Sequence, residues 1–220
     1  MFFLPFSLLL FLFFILLLPV LFFLFQAGIV ALSFSRLGLT PTQGFLIFFL
    51  SLSLSTVNIP IKEYTVSVEE EFFIPDIFRF FFNFPDVSKK IIAVNVGGCL
   101  IPLLLSIYIL PRLPLLQTLI ATLLMVFISY SFSRYIPGIG VVLPAFIPPI
   151  FAATIALILA PKGLSPLLAY FSGTIGTLIG ADILNLPKII SSSFRGVMSI
   201  GGAGVYDGIF LVGIIALLLA

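Results

Sequence analysis

The sequence predicts an all-α, polytopic transmembrane helix bundle of about seven spans, with broken or kinked helices. Of its 220 residues, 61% are hydrophobic and 8% are charged, and the mean hydropathy is +1.36. Soluble domains carry about 25% charged residues, so this chain cannot cover a surface that faces water. Its apolar runs are continuous rather than alternating, which favours helices over a transmembrane barrel.

Composition also limits the chemistry. The chain has no histidine and one cysteine, Cys99, which excludes a disulfide within one chain and zinc sites built on His or Cys clusters. Without histidine there is no Ser–His dyad. We therefore expect no metal and no cofactor. The net charge is +2 and the largest basic cluster is Lys89-Lys90, so the expected partner is the lipid bilayer and not nucleic acid.

Apolar stretches close to 20 residues long, the length that crosses a bilayer, define one integral membrane domain over residues 1–220. Pro148 and Pro149 interrupt the fifth stretch, and a regular helix cannot hold two prolines in mid-span. A polar and aromatic loop over 62–90 is expected to include an interfacial segment. The predicted spans cover residues 5–33, 44–61, 91–110, 115–133, 139–160, 164–186 and 197–219.

Positive charge sets the expected orientation in the cell membrane. With seven spans, seven Lys and Arg residues fall in loops on the N-terminal side and three fall on the other. Cytoplasmic loops carry the excess of positive charge, so this count favours a multi-pass protein with its N-terminus inside. The three on the other side are Arg36, Arg112 and Lys162.

Two aspartates stand inside apolar runs, where an ionisable group costs roughly 2.5–3.5 kcal/mol and marks a functional site. Asp182 precedes the end of the sixth predicted span, and Asp207 follows the start of the seventh. Their depths below the same membrane face are roughly 6 and 15 Å, at about 1.5 Å per residue. Two carboxyls in one low-dielectric cavity share a proton, as in an aspartic protease. The first prediction is a di-aspartyl intramembrane hydrolase with Asp182 and Asp207 as catalytic residues, acting on a membrane-embedded substrate.

Glycines at helical spacing accompany both acids and predict close packing of the helices. Small residues at this spacing let membrane helices touch backbone to backbone. The glycines are Gly173, Gly176 and Gly180 in the sixth span, and Gly201, Gly204 and Gly208 in the seventh. At about 100° per residue, Asp182 lies about 150° from its own glycines, so a regular sixth helix would point it away from the seventh. The dyad therefore requires the helix to unwind or rotate near Gly180.

Two alternatives stay open beside the hydrolase. The acids could face separate cavities and serve a cation- or proton-coupled transporter. Broken helices support that interpretation, because transport sites are built from them. Its ion- or substrate-binding side chains would be Asn58, Asn95, Asn185 and Tyr206. Alternatively, the protein is structural, and each acid caps a local polar network.

Two resemblances accompany these predictions. Tyr206-Asp207 and Gly180-Ala181-Asp182 resemble the Tyr-Asp and Gly-x-Gly-Asp motifs of presenilin and signal-peptide-peptidase-like intramembrane aspartyl proteases, with the elements in a different order. That resemblance implies two catalytic aspartates.

A second resemblance covers most of the chain from the second span onward. It implies a prokaryotic multi-pass membrane family of unknown function and no particular activity. The matching motifs are Asn58-Ile59-Pro60, Asn95-Val96-Gly97-Gly98, Gly138-Ile139-Gly140 with Pro148-Pro149, Gly180-Ala181-Asp182 and Gly201 to Phe210.

Overall fold

A computed structural model of the chain shows apolar helices packed beside two small β-sheets. Most of the predicted interfacial segment lies outside the described residues, as do Gly204, Tyr206, Asp207 and Gly208. The structure describes residues 15, 17–19, 22, 27–65, 89–136, 140–192, 196–202, 209 and 211–220.

The described helices are short for a membrane bundle, apart from Leu115–Phe132 and the continuous helical segment Ser165–Ser191. Pro114 precedes helix α4 and Pro148 stands in the first turn of α5, positions that suit a residue without a backbone N–H. In chain order the described helices are α1 (27–35), α2 (Pro41–Ser53), α3 (Ile101–Ile109), α4 (Leu115–Phe132), α5 (Ile147–Leu159), α6 (Ser165–Thr177), α7 (Leu186–Ser191) and α8 (211–219).

Within the described residues, five strands form a three-stranded sheet and a hairpin. The sheet has the order β1 (Asn58–Thr65), β2 (Lys89–Asn95) and β5 (Gly196–Ile200). Strand β1 pairs antiparallel with β2, and β5 pairs parallel with β2. Strands β3 (Arg134–Ile136) and β4 (Gly140–Val142) make the antiparallel hairpin. The mixed sheet brings residues from three distant parts of the chain together.

The prediction of an all-α bundle with about seven spans is therefore wrong. Strands occupy parts of the predicted second, third, fifth and seventh spans, because a continuous apolar run does not distinguish a buried strand from a helix. Strand β2 is buried on both faces and rich in β-branched residues, as a strand with a parallel neighbour usually is. Pro148 and Pro149 do not break a helix in mid-span either, since they lie in the first turn of α5.

Helix α4 has an inside-out distribution of side chains. Its outer face is apolar, with Leu115 80% exposed and Phe127 70% exposed. A helix on a water-soluble protein places its polar face outward. Two described helical segments, Leu115–Phe132 and Ser165–Ser191, are long and apolar enough to cross a membrane by length and composition. Both observations indicate association with a membrane. The buried residues of α4 are Thr118, Ala121, Met125 and Ser129.

Helix α6 is central, because it contacts α3, α4, α5 and α8. Its buried face includes small residues, and Ala169 joins a core with Ala152, Ala156 and Val212. At the C-terminus of α8, a side chain from α1's end of the chain satisfies a backbone carbonyl that has no partner within the helix. Arg36 donates from Nη1 to the carbonyl of Leu217 at 3.0 Å, near the C-terminus of α8.

Candidate functional site

Asp182 lies where the longest helical segment leaves regular α-helical geometry. After α6, Leu178–Asp182 form a π-helical turn and Ile183–Asn185 form a 3-10 turn, before α7 begins. Single π turns inside helices are frequent at functional sites. The side chain of Asp182 is 5% exposed, and its Oδ2 accepts a hydrogen bond of 2.7 Å from the backbone N–H of Gly201. The acid of the sixth predicted span thus contacts the segment that leads to Asp207.

The glycines of α6 and of the π-helical turn after it explain why Asp182 faces this segment. A Cβ at Gly180 would stand 2.9 Å from Cβ of Ser129, on α4. A Cβ at Gly176 would meet Cβ of Met125, also on α4, and one at Gly173 would meet Val212. Gly176 and Gly180 therefore pack against α4. Because Asp182 lies on the other side of the helix from these glycines, it points toward the end of β5.

Gly201 occupies a position that only glycine fits. Its φ is +69°, in the left-handed region that other residues rarely adopt. A Cβ there would stand 2.7 Å from the carbonyl carbon of Gly98 and 2.9 Å from Cβ of Cys99. The ends of the parallel strands β2 and β5 thus approach each other backbone to backbone, and this contact directs the N–H of Gly201 at Asp182.

Asn58, the first residue of β1, and Asn95, the last residue of β2, lie opposite each other in the sheet. Asn95 is buried and donates from Nδ2 to Oδ1 of Asn58 at 2.9 Å and to the carbonyl of Ser55 at 2.5 Å. Its Oδ1 accepts the N–H of Gly98 at 2.6 Å, which caps the following helix. Ser199 also donates to Oδ1 of Asn58, at 2.5 Å. Every polar atom of the Asn95 side chain is therefore engaged within the fold.

Asn185 is fully buried between α4 and the distorted helix. Its Nδ2 donates to the carbonyl of Ala181 and to Oγ of Ser133, each at 2.8 Å. Its Oδ1 accepts a hydrogen bond of 2.9 Å from Nζ of Lys188, whose ammonium also lies 4.9 Å from the ring centroid of Tyr130. Like Asn95, Asn185 has no free donor for a ligand.

Lys90 is a buried cation that the sequence predictions did not single out. Its side chain is 2% exposed, and Nζ donates to the carbonyls of Ile189, Ile190 and Ser192, at 3.0 Å, 2.9 Å and a shorter distance. Those carbonyls end α7, where a positive charge is favourable. Burial lowers the pKa of the Lys90 ammonium, and the carbonyls oppose that shift. In the sequence, the feature that indicates burial of Lys90 is its position immediately before the apolar pair Ile91-Ile92.

A small apolar pocket opens between α1, α2, α3, α6 and α8. Ile209 lines this pocket and also belongs to the buried cluster that contains Ala181 and Cys99. The pocket and the surroundings of Asp182 therefore share a wall. Its other lining residues include Phe34, Phe48, Ser51, Pro102 and Tyr170.

The structure joins some predicted site residues and leaves others apart. Asp182 meets Gly201, and Asn58 meets Asn95, while Asn185 faces α4. Tyr206, Asp207, Gly204 and Gly208 lie outside the described residues. Among the residues that the structure describes, no group of three or more His, Cys, Asp or Glu side chains could hold a metal ion.

Comparison with known proteins adds one assignment. Residues 52–219 match the family described as "Protein of unknown function (DUF1614)". The chain belongs to this family. The match contains Asp182, Gly201 and Asp207, together with the whole three-stranded sheet. No curated protein and no solved structure matches the chain. The predicted membership of a family of unknown function is therefore confirmed, and it carries no activity with it. The multi-pass nature of that family and the resemblance to presenilin-like proteases stay predictions.

Proposed function

We propose that this protein is a membrane-embedded hydrolase in which Asp182 and Asp207 form the catalytic pair. The observation that carries the proposal is the hydrogen bond from Gly201 N–H to Asp182 Oδ2, at 2.7 Å. It attaches the segment that bears the second acid directly to the first. The condition for a dyad, a helix that unwinds beside Gly180, is met by the π and 3-10 turns.

Both flanks of the second acid return to the surroundings of Asp182. Gly201 bonds to Asp182, and Ile209 shares a buried cluster with Leu178 and Ala181. The contacts of Gly201 and Ile209, which flank Asp207 in the sequence, support the proposal that the two carboxyl groups act together.

The chemistry follows from putting two carboxyls in one buried, low-dielectric site. Like charges at short range cannot both ionise, so one carboxyl keeps its proton while the other is ionised. The ionised carboxylate takes a proton from a water molecule, whose oxygen attacks the substrate carbonyl. The protonated carboxyl donates to the carbonyl oxygen. Collapse of the tetrahedral intermediate then breaks the bond between the carbonyl carbon and the leaving group. The leaving group takes up the proton that the first carboxylate received from water.

The expected substrate is embedded in the membrane. The apolar outer face of α4 indicates that this protein meets lipid, and the pocket that shares Ile209 with the site is lined mainly by apolar side chains. An apolar lining of this kind favours an apolar group over a hydrated solute. We propose a multi-pass arrangement in the cell membrane with the N-terminus inside, on the basis of the count of Lys and Arg residues between the predicted spans.

Transport is the alternative, and the described contacts favour it less. Ion coordination would need the side-chain oxygens of Asn58, Asn95 and Asn185. Oδ1 of Asn58 already accepts two hydrogen bonds, and Oδ1 of both Asn95 and Asn185 accepts one. The polar groups that suggested transport therefore stabilise the fold.

The test is cleavage of a membrane-embedded reporter by purified protein in lipid vesicles. We expect Asp182→Asn and Asp207→Asn each to abolish cleavage to the same extent, because members of a dyad act as a unit. Glu63→Gln is the matched control, since Glu63 is exposed and its ion pair among the described residues is with Lys89 on the sheet. If the wild type does not cleave the reporter but carries a cation or proton flux that both aspartate variants abolish, the hydrolase hypothesis is rejected in favour of the transporter.

A further inference from the structure

We infer that Asn185 is a positioning residue that sets the orientation of Asp182. This inference rests on the proposed function for its catalytic meaning, and on the hydrogen bonds around Asn185 for its geometry. Asn185 was expected to bind an ion or a substrate, but both of its amide protons are donated within the fold. Its role is instead explained by the atoms that it holds.

The first of these atoms is the carbonyl oxygen of Ala181, at 2.8 Å from Nδ2 of Asn185. That carbonyl belongs to the peptide group that links Ala181 to Asp182, so fixing it fixes the plane from which the Asp182 side chain departs. It lies where the π turn gives way to the 3-10 turn. A side-chain amide can satisfy a carbonyl at such a junction, where helical hydrogen bonding is irregular.

The second contact ties this peptide group to α4. The other amide proton of Asn185 goes to Oγ of Ser133, and Lys188 holds Oδ1 while its ammonium rests on the ring of Tyr130. Asn185 is therefore anchored from two directions and is fully buried, so its amide has little freedom to turn. These contacts with α4 thus fix the peptide group before Asp182, and that peptide group orients the Asp182 side chain toward Gly201.

Three variants separate this role from simple support of the fold. Asn185→Ala removes both bonds. Asn185→Ser restores only the bond to Ala181, because a serine hydroxyl in a helix bonds back to the carbonyl four residues earlier. Ser133→Ala removes only the bond to α4. The readout is hydrogen exchange of the Gly201 amide, followed by NMR on protein with nitrogen-15 in glycine, beside the pH profile of reporter cleavage.

We expect Asn185→Ala to speed exchange of the Gly201 amide about tenfold, the factor that corresponds to one lost hydrogen bond. It should also displace the pH profile of cleavage, whereas Asn185→Ser and Ser133→Ala, which each keep the bond to Ala181, should lie between Asn185→Ala and wild type in both measurements. Wild-type exchange and an unchanged pH profile in Asn185→Ala would overturn the inference. If Asn185→Ala does not fold, Asn185→Gln moves the amide by one methylene and is read in the same way.

The amide measurement needs no activity, so it separates the two proposals. If no variant and no wild-type sample cleaves the reporter, the hydrolase is wrong while the exchange of Gly201 still decides the role of Asn185. If cleavage depends on both aspartates but the Gly201 amide ignores Asn185, the hydrolase stands and the positioning role falls.

Discussion

The backbone N–H of Gly201 donates a hydrogen bond of 2.7 Å to Oδ2 of Asp182, a residue 19 positions earlier in the chain. This bond connects a distorted apolar helix to the end of a parallel strand. The predicted glycine motifs on the two sides of this bond pack against different parts of the fold. Gly180 packs on α4, and Gly201 packs on the backbone of Gly98. Each glycine allows a different close approach, and together they leave Asp182 facing Gly201.

Gly201→Ala should abolish the proposed cleavage and destabilise the protein by more than about 1 kcal/mol, the lower cost of a left-handed backbone for a residue with a Cβ. The Cβ would also stand 2.7 Å from the main chain of Gly98. Gly163→Ala is the matched control, because its φ of +81° imposes similar strain with no described atom within 4 Å. Denaturant unfolding of both variants measures the difference. Equal losses of stability would show that the contact with Gly98 contributes nothing.

Gly180→Ala should cost about 1–3 kcal/mol of stability, the range for an overpacked interior. Its Cβ would stand 2.9 Å from Cβ of Ser129 and 3.0 Å from the backbone nitrogen of Tyr130, so α4 would have to move. Gly28→Ala provides the comparison, because no described atom lies within 4 Å of its Cβ position. In a helix that change is expected to be neutral or stabilising. A Gly180→Ala variant as stable as Gly28→Ala would contradict the packing of α6 on α4.

Lys90→Met should destabilise the fold by about 2 kcal/mol, because the carbonyls at the end of α7 lose a charged donor. The pH dependence has a definite sign. Burial lowers the pKa of Lys90 from its ordinary value of 10.5, so the folded protein binds fewer protons than the unfolded chain just below that pH. The free energy of unfolding should therefore rise with pH in this alkaline window.

Unfolding measured at stepped pH, for wild type and Lys90→Met, isolates this contribution. The variant should lack the alkaline rise that Lys90 produces in the wild type. Lys62→Met is the control, since Lys62 lies on the exposed strand β1 and should keep the rise. Identical pH slopes in wild type and Lys90→Met would exclude a lowered pKa at this position.

Asn95→Ala should destabilise the protein by about 1–3 kcal/mol, the cost of leaving buried polar groups unpaired. The change frees the N–H of Gly98 and the carbonyl of Ser55. Asn58→Ala should cost less, because Asn58 is exposed and water can replace it. Thermal unfolding in detergent ranks the two variants. A larger loss for Asn58→Ala would indicate that Asn58 has a function beyond this contact.

Much of the site was accessible from the sequence, because a carboxylate in an apolar run is costly and therefore conspicuous. Asp182 was found that way, and the glycines beside it predicted close contacts. The partner of those contacts could not be predicted, since small residues show that something approaches without showing what it is. The expectation that Asp182 would point away assumed packing on the seventh predicted span, while Gly176 and Gly180 actually face α4.

The strands were missed for a related reason. Strand β2 continues into the helical segment before α3 with little change in hydrophobicity, so the two together match the pattern of one span of about 20 residues. Asn95-Val96-Gly97-Gly98 is the boundary between them, with Asn95 as the helix cap. Read as a turn, that motif and Gly201-Gly202 would have divided two predicted spans into strand and helix.

The position of Lys90 has a mechanical consequence for the contact between Asp182 and Gly201. Strand β2 holds the end of α7 through the Lys90 ammonium, and the same strand pairs with β5, which leads into Gly201. The helical segment that contains Asp182 and the strand that leads into Gly201 are thus both attached to β2. A displacement of β2 would carry both together, so the hydrogen bond between Gly201 and Asp182 is protected from motions of the surrounding helices.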